Sequence, residues 1–210
     1  MIKYPKIETV WKRDPGNNFK TLLEGEGATP EFEYLKDNTW VLTEKVDGTN
    51  IRIMWDGEQV RFGGRTDRAS IPTFLYDKLQ DMFPAERLAE CFGDEPVCLY
   101  GEGYGARIQK GGGNYIPGGV SFILFDVLIG NWWLRREDVE DIAEKRFGID
   151  VVPIVGAGSL IEAIEMVREG LASQLRPGWA EGLVMKPYVD LWDRRGRRIV
   201  TKIKHKDFLR

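Results

Sequence analysis

Segments of strand length follow one another from Trp40 to Gly63, and no helix-length pattern intervenes until Ile71. Trp40, Val41, Leu42 and Thr43 lead into Glu44-Lys45-Val46-Asp47-Gly48-Thr49-Asn50. Ile51 to Trp55 lead out of it toward Asp56-Gly57, a type I′ hairpin signal. The stretch reads as a β-meander around Lys45, which places that lysine at the bend of a rigid hairpin rather than on a floppy loop. Strand and helix patterns do not alternate regularly along the chain, which excludes a doubly wound parallel sheet. The expected class is α+β, built on antiparallel sheets flanked by helices.

Ile71 to Phe92 reads as one helix, with Pro72 in its first turn and apolar residues at Phe74, Leu75, Leu79, Met82 and Phe83. Val97 to Tyr104 is a strand. Gln109 to Gly119 carries five glycines and one proline and reads as loop. Val120 to Ile129 is a continuous apolar strand turned back by Gly130-Asn131. Arg135 to Phe147 is an amphipathic helix closed by Gly148. Ser159-Leu160-Ile161-Glu162 is a capping box opening a helix to about Ala172. Ala180 to Pro187 and Arg198 to Lys204 are the last strands, joined by a basic turn. The first forty residues, with Pro5, Pro15, Gly16 and Pro30, read as irregular with one short strand. No repeat or linker divides the chain, so one domain over 1–210 is expected.

Length and composition narrow the chemistry. With 210 residues, 42% hydrophobic and 11% aromatic, the chain suits a globular domain with a real core. No apolar run spans a bilayer, and the Met-Ile-Lys-Tyr-Pro start is no signal peptide, so no membrane partner is expected. Two cysteines, Cys91 and Cys98, and a single histidine, His205, leave no zinc-ribbon or histidine-based metal site. They also suit a reducing compartment, the cytoplasm, or host cytoplasm for a phage-encoded chain. A catalytic metal would sit on carboxylates and substrate phosphates, which is Mg²⁺ or Mn²⁺ chemistry. The formal net charge is −3, yet Arg194 to Arg210 holds eight Lys or Arg against one acid, Asp207. Strand alternation around Ile199, Val200 and Ile203 would aim Lys202, Lys204 and Lys206 at one face, where an anion fits.

Lys45 is followed in fixed order by Tyr100-Gly101-Glu102-Gly103-Tyr104-Gly105, by Phe122-Ile123-Leu124-Phe125-Asp126-Val127, by Glu181-Gly182-Leu183-Val184-Met185-Lys186 and by Thr201-Lys202-Ile203-Lys204. This ordered set resembles the nucleotidyltransferase motifs of the covalent polynucleotide ligases. The form Lys-Val-Asp-Gly-Thr-Asn is similar to that of the ATP-dependent, RNA ligase 2-like family. The resemblance runs from about Trp40 to Lys206. It implies a single ATP-grasp-like ligase adenylation domain, with ATP and Mg²⁺ or Mn²⁺ as cofactors. It further implies the joining of 5′-phosphate and 3′-hydroxyl ends through lysyl-AMP and an adenylated 5′ end.

The resemblance also implies residue roles. Lys45 is the nucleophile, which must lose its proton although a free lysine titrates near ~10.4. Lys202 and Lys204 contact the α-phosphate and, with a bound metal, depress Lys45 by like charge. Glu181 holds the metal. Glu102 takes the ribose, where flanking glycines would allow close backbone approach to a ligand, and Phe125 stacks on adenine while Phe122 belongs to the core. Glu44, Asn50, Arg65 and Lys186 complete the nucleotide set, although strand parity would put Lys186 and Glu181 on opposite faces. Arg65, Arg194, Arg195, Arg197 and Arg198 are expected to hold the nucleic acid. RNA is the expected polymer, with DNA and an RNA/DNA hybrid left open by Asp47, where several RNA ligases carry histidine. A monomer is expected, and the chain ends too soon after Lys204 for a C-terminal domain. Three alternatives stand beside this reading: a minimal DNA ligase core, a capping-type guanylyltransferase, and a non-catalytic adenylate- or RNA-binding module.

Overall fold

The computed structural model describes residues 3–209. Its strands are β1 (Glu8–Thr9), β2 (Trp11–Arg13), β3 (Leu22–Gly27), β4 (Trp40–Glu44), β5 (Thr49–Trp55), β6 (Val60–Gly64), β7 (Val97–Gly105), β8 (Val120–Ile129), β9 (Trp132–Trp133), β10 (Ile154–Gly158), β11 (Gly182–Pro187) and β12 (Thr201–Lys204). The helices are α1 (Pro30–Tyr34), α2 (Thr73–Met82), α3 (Ala85–Phe92), α4 (Arg136–Asp141) and α5 (Leu160–Glu169). The class is α+β on largely antiparallel sheets, β1 with β12 being a parallel pair. No helix among the described residues is long and apolar enough to cross a membrane.

The strands sort into two units, each with its own core. One unit comprises Asp47–Val152 with the residues up to Tyr4 and carries the sheet β6-β5-β7-β8-β9. Its core gathers Ile51, Ile53 and Leu99 with Leu75, Leu79, Phe83 and Leu88 of the helical segment, and Phe122 with Phe147. The other comprises Pro5–Val46 and Pro153–Arg210 and carries the sheet β1-β12-β11-β4-β10, with a separate β2-β3 pair. Its core sets Trp40, Leu42, Leu183, Met185 and Ile203 against Leu160, Ala163, Ile164 and Val167 of α5. Burying each of the Leu, Ile, Val, Met and Phe side chains among them is worth roughly 1.5–3 kcal/mol.

Lys45 is therefore not on a hairpin. β4 pairs with β10 and β11, whereas β5 pairs with β6 and β7, so the chain leaves one sheet for the other at Lys45 to Gly48. Alternating burial looks the same whichever partner a strand takes, and this hid the crossing. Gly48 is required there, since a Cβ would lie 2.3 Å from the Gly103 carbonyl oxygen and 2.7 Å from Glu102 Cγ. The Asp56-Gly57 hairpin exists, but only Gly57 has positive φ (101°), and a type I′ turn needs positive φ at both central residues.

Several boundaries also differ. The helix expected over 71–92 is two, broken where Pro84 caps α3, because proline cannot continue the hydrogen-bonded ladder. The N-terminal region holds three short strands and α1 rather than one strand, and β10 has no counterpart in the sequence reading. α4 runs on as a π-helical stretch over Ile142–Phe147 and ends at Gly148 in the left-handed conformation, as its sequence required. The capping box at Ser159 and Glu162 is present, but α5 stops at Glu169, before Gly170.

Candidate active site

Burial alternates along the middle of the second sheet. Trp40, Leu42, Glu44, Leu183, Met185, Thr201 and Ile203 are buried, whereas Val41, Thr43, Val184, Lys186, Lys202 and Lys204 are half-buried. Val184 lies opposite both Thr43 and Lys202, Gly182 opposite Lys204, and Lys186 opposite Val41. Residues directly opposite share a face, so Lys186, Lys202 and Lys204 stand on the face away from α5. Lys45, one residue beyond β4, keeps the ladder by donating its N–H to the Gly182 carbonyl at 2.9 Å. The same alternation sends Lys45 to that face. Lys206 is not with them, because a 3₁₀ turn over His205–Asp207 ends the alternation. Arg210 lies outside the described residues.

Glu181 joins this face. Its carboxylate accepts from Lys45 Nζ at 2.7 Å on one oxygen and from Lys204 Nζ at 2.6 Å on the other. Strand parity would have turned Glu181 away, but Gly182 has φ of 153° and interrupts the alternation between them. Burial by itself would raise the Glu181 pKa. The charges of Lys45 and Lys204 and their hydrogen bonds outweigh it, and the carboxyl is held below its ordinary value. Lys202 is depressed, first by burial, then by the like charges of Lys45 and Lys204, with Glu181 and Glu8 opposing. Three cations around one carboxylate leave an excess of positive charge, which suits a polyphosphate.

Glu44 lies on the opposite face from its neighbour Lys45. It is 1% exposed, and its carboxylate accepts from Ser173 Oγ and, at 2.8 Å, from the Gln174 N–H. Ser173 Oγ in turn accepts from the N–H groups of Leu175 and Arg176 at 3.1 Å. The Glu44 side chain is thus committed to holding the 173–176 loop.

In the first unit Asn50 of β5 lies directly opposite Glu102 of β7, and both are half-buried. Ile51 pairs with Gly64, so Arg65 follows the β6 residue next to Asn50's own neighbour. Arg65, Asn50 and Glu102 therefore belong to one end of three adjacent strands. The Asn50 Oδ1 atom is buried and accepts no hydrogen bond from the described residues, an open valence at that end. The glycines beside Glu102 serve packing rather than ligand approach: a Cβ on Gly101 would lie 2.2 Å from the Phe122 ring, and one on Gly103 2.6 Å from Leu75.

Phe125 owes its position to a bulge. Gly101 pairs with Leu124 and Tyr100 with Asp126, which leaves Phe125 as the extra residue of β8. Phe122 is in the core, whereas half-buried Phe125 packs edge-to-face with Tyr4 at 5.0 Å between ring centres. Tyr4 also donates its hydroxyl to Asp126 at 2.8 Å. No sequence signal ties Tyr4 to this strand.

Arg52 is the other site residue that the sequence reading missed, although an arginine inside Ile51-Arg52-Ile53 was a signal. It is 1% exposed and donates from Nε to the Gly64 carbonyl and from Nη2 to Asp67, both at 2.8 Å. One buried guanidinium thus pins the chain on both sides of Arg65-Thr66.

The structure divides the four turn arginines. Arg197 pairs with Asp193 and Arg198 with Asp190, the Arg198 side chain being only 5% exposed. Arg194, Arg195 and Arg65 are exposed. As for a metal, no cluster of three or more His, Cys, Asp or Glu exists among the described residues. Glu181, a lone carboxylate amid lysines, fits a divalent ion held mainly by substrate phosphate oxygens and water.

Residues 38–204 match the family model described as RNA ligase. A search of curated proteins finds no match. Among solved structures, a mutant Naegleria gruberi RNA ligase with AMP and Mn is similar at TM-score 0.69 and 19% identity, over 99% of this chain and 57% of that one. The Naegleria gruberi RNA ligase with PPi gives TM-score 0.69 at 21% identity, over 99% and 57%. Another mutant of that enzyme, with ATP and Mn, gives 0.70 at 20%, over 98% and 59%. At these identities the likeness shows a common fold, and the present chain spans under three-fifths of each matched chain. The family match covers most of the sequence, and this chain belongs to the RNA ligase family.

Proposed function

We propose that this protein is an ATP-dependent RNA ligase that joins 5′-phosphate and 3′-hydroxyl ends through a covalent lysyl-AMP. The observation that carries this reading is the pairing of Lys45 and Lys204 with one carboxylate, Glu181, and the nearby charge of Lys202, all on the sheet face away from α5. A structural sheet face has no use for three clustered lysines with one carboxylate among them, whereas in-line phosphoryl transfer needs a nucleophile set among fixed cations.

The first transfer begins with the Lys45–Glu181 pair opening and Lys45 passing one proton to water. The Lys45 Nζ lone pair then forms a bond to the α-phosphorus of ATP while the bond to pyrophosphate breaks. Lys202 and Lys204 take the charge that builds on the α-phosphate oxygens. Next, an oxygen of the RNA 5′-phosphate attacks the same phosphorus and the P–N bond breaks, restoring Lys45. Finally the 3′-hydroxyl attacks the 5′-phosphorus and AMP leaves. Glu181 and the ATP phosphates would hold Mg²⁺ or Mn²⁺, which supplies charge neutralisation. Glu102 serves the ribose, Phe125 the adenine, Asn50 the joining steps, and Arg65 the phosphates or the adenylated end. Glu44 acts through the 173–176 loop, and Lys186 extends the cationic face. The chain passes between its units repeatedly, and both act as one adenylyltransferase domain.

Incubation with labelled ATP, GTP or NAD, followed by acid quench and intact-mass measurement, tests the reading. ATP alone should leave an AMP-sized adduct, located on Lys45. An adduct from GTP would indicate a capping-type enzyme, and none from any nucleotide would indicate a binding module. Nicked RNA, nicked DNA and a hybrid nick then decide the polymer.

A further inference from the structure

The segment between β11 and β12 is not used by the lysine chemistry, and its composition is unusual. It folds as a hairpin: the Ile199 N–H donates to the Leu191 carbonyl and the Asp193 N–H to the Arg197 carbonyl, both at 2.8 Å, and Trp192 bridges to Arg198. The tip holds itself. Asp193 accepts from the N–H groups of Arg195 at 2.8 Å and Arg197 at 2.9 Å and from the Arg197 guanidinium, and these bonds hold its carboxyl below the usual range. Arg198 reaches Asp190 at 3.0 Å.

Both aspartates are thereby neutralised from within, and the charge left over is that of Arg194 and Arg195. Beside them are large apolar side chains that stay exposed: Tyr188 is 72% exposed, Val189 67% and Trp192 52%. A polar hairpin needs no exposed rings, so the rings and the uncompensated arginines call for a ligand that offers flat apolar faces and negative charge together. An acidic peptide supplies the charge without the faces. An unpaired nucleic-acid strand supplies both, since every base has a π face and every nucleotide a phosphate.

We infer that this hairpin is a stacking platform for unpaired nucleotides of the RNA to be joined, with Tyr188 and Trp192 taking bases and Arg194 and Arg195 the phosphates between them. The inference rests on the RNA ligase reading and deepens it. The hairpin begins two residues after Lys186 and ends just before the strand that bears Lys202 and Lys204, so a strand held on it is tethered to the lysine sheet by its two neighbouring strands.

The test uses the full chain, a 5′-phosphorylated single-stranded RNA and the same RNA in a fully paired nicked duplex. Tyr188→Ala with Trp192→Ala should weaken single-strand binding about tenfold or more for each ring removed. It should leave the nicked duplex far less affected, and self-adenylylation with ATP intact. Trp192→Phe should restore most of the binding, which separates stacking from misfolding. Arg194→Ala with Arg195→Ala should lower the slope of log affinity against log salt by about 0.7 for each phosphate no longer neutralised. Unchanged single-strand affinity in both variants, with wild-type joining intact, would overturn the platform and leave the ligase reading standing. Binding of wild type but not the ring variant to phosphatidylserine vesicles, with RNA affinity unchanged, would also overturn it in favour of a membrane surface. A wild type that neither forms lysyl-AMP nor binds RNA would overturn both.

Discussion

The lysine face of the second unit and the Arg65–Asn50–Glu102 end of the first are both polar and half-buried, but they balance their charges in opposite ways. On the lysine face each oxygen of Glu181 is met by a lysine, so the carboxylate is satisfied within the protein while the lysines outnumber it. At the other end Asn50 Oδ1 has no partner among the described residues, and the rigidity comes from behind, from buried Arg52. The first arrangement stores a nucleophile in an ion pair that substrate must open. The second presents a fixed frame with open valences that substrate fills. Chemistry is expected to fail sharply when the first is altered, and binding and joining to decline when the second is.

The largest effect should come from Lys45→Ala. Adduct formation with ATP should disappear while the fold persists, because Lys45 is half-buried and Glu181 keeps Lys204. Intact-mass measurement after incubation with ATP checks it, and an AMP adduct in the variant would place the nucleophile elsewhere.

Glu181→Gln follows. Removing one member of a largely buried charge group leaves its partners uncompensated, at a cost of about 3 kcal/mol. The pH dependence has a definite sign. Glu181 titrates below its ordinary value of about 4.3 when folded, so its contribution is complete above that value and drains away as pH falls through the lowered one. Urea unfolding at a series of pH values should show wild type and variant furthest apart near neutrality and converging in acid. A gap that widened in acid would mean that Glu181 is not held by these lysines.

Arg52→Met should cost about 1–3 kcal/mol through the broken bonds to Gly64 and Asp67. Joining should fall toward the level of Arg65→Ala, while adduct formation with ATP survives better. Adding Arg65→Ala to Arg52→Met should then cost little more. Full additivity of the two would show that Arg52 does not act through Arg65.

Much of this frame was legible in the sequence, because strands and caps are set by neighbours along the chain. The boundaries of β8, the closing Gly148, the Ser159 box and the facing of the β12 lysines all follow from local sequence chemistry. What was not legible depends on partners distant in sequence. Which sheet β4 joins, the bulge that releases Phe125, and the Gly182 conformation that turns Glu181 toward Lys45 are all decided by pairing. Likewise Glu44 could not be separated from Lys45 until Ser173 and Gln174 were seen to hold it. Proline outweighs periodicity here: Pro84 divides a helix whose apolar spacing continues straight through it.

Asn50→Ala should show the smallest effect on stability and therefore the cleanest contrast between the two regions. A buried oxygen that accepts no hydrogen bond contributes nothing to the fold through that atom, so its removal relieves a desolvated group. The loss of the remaining amide is partly offset, and the unfolding midpoint should move by no more than the equivalent of about 0.5 kcal/mol. Joining of a pre-adenylated RNA should nevertheless fall at least tenfold, because the open valence is the part of the frame that only substrate fills. Urea denaturation and single-turnover joining on the same preparation measure the two quantities side by side. A large loss of stability with joining intact would reverse the assignment and make Asn50 a structural residue of the β5–β7 pair.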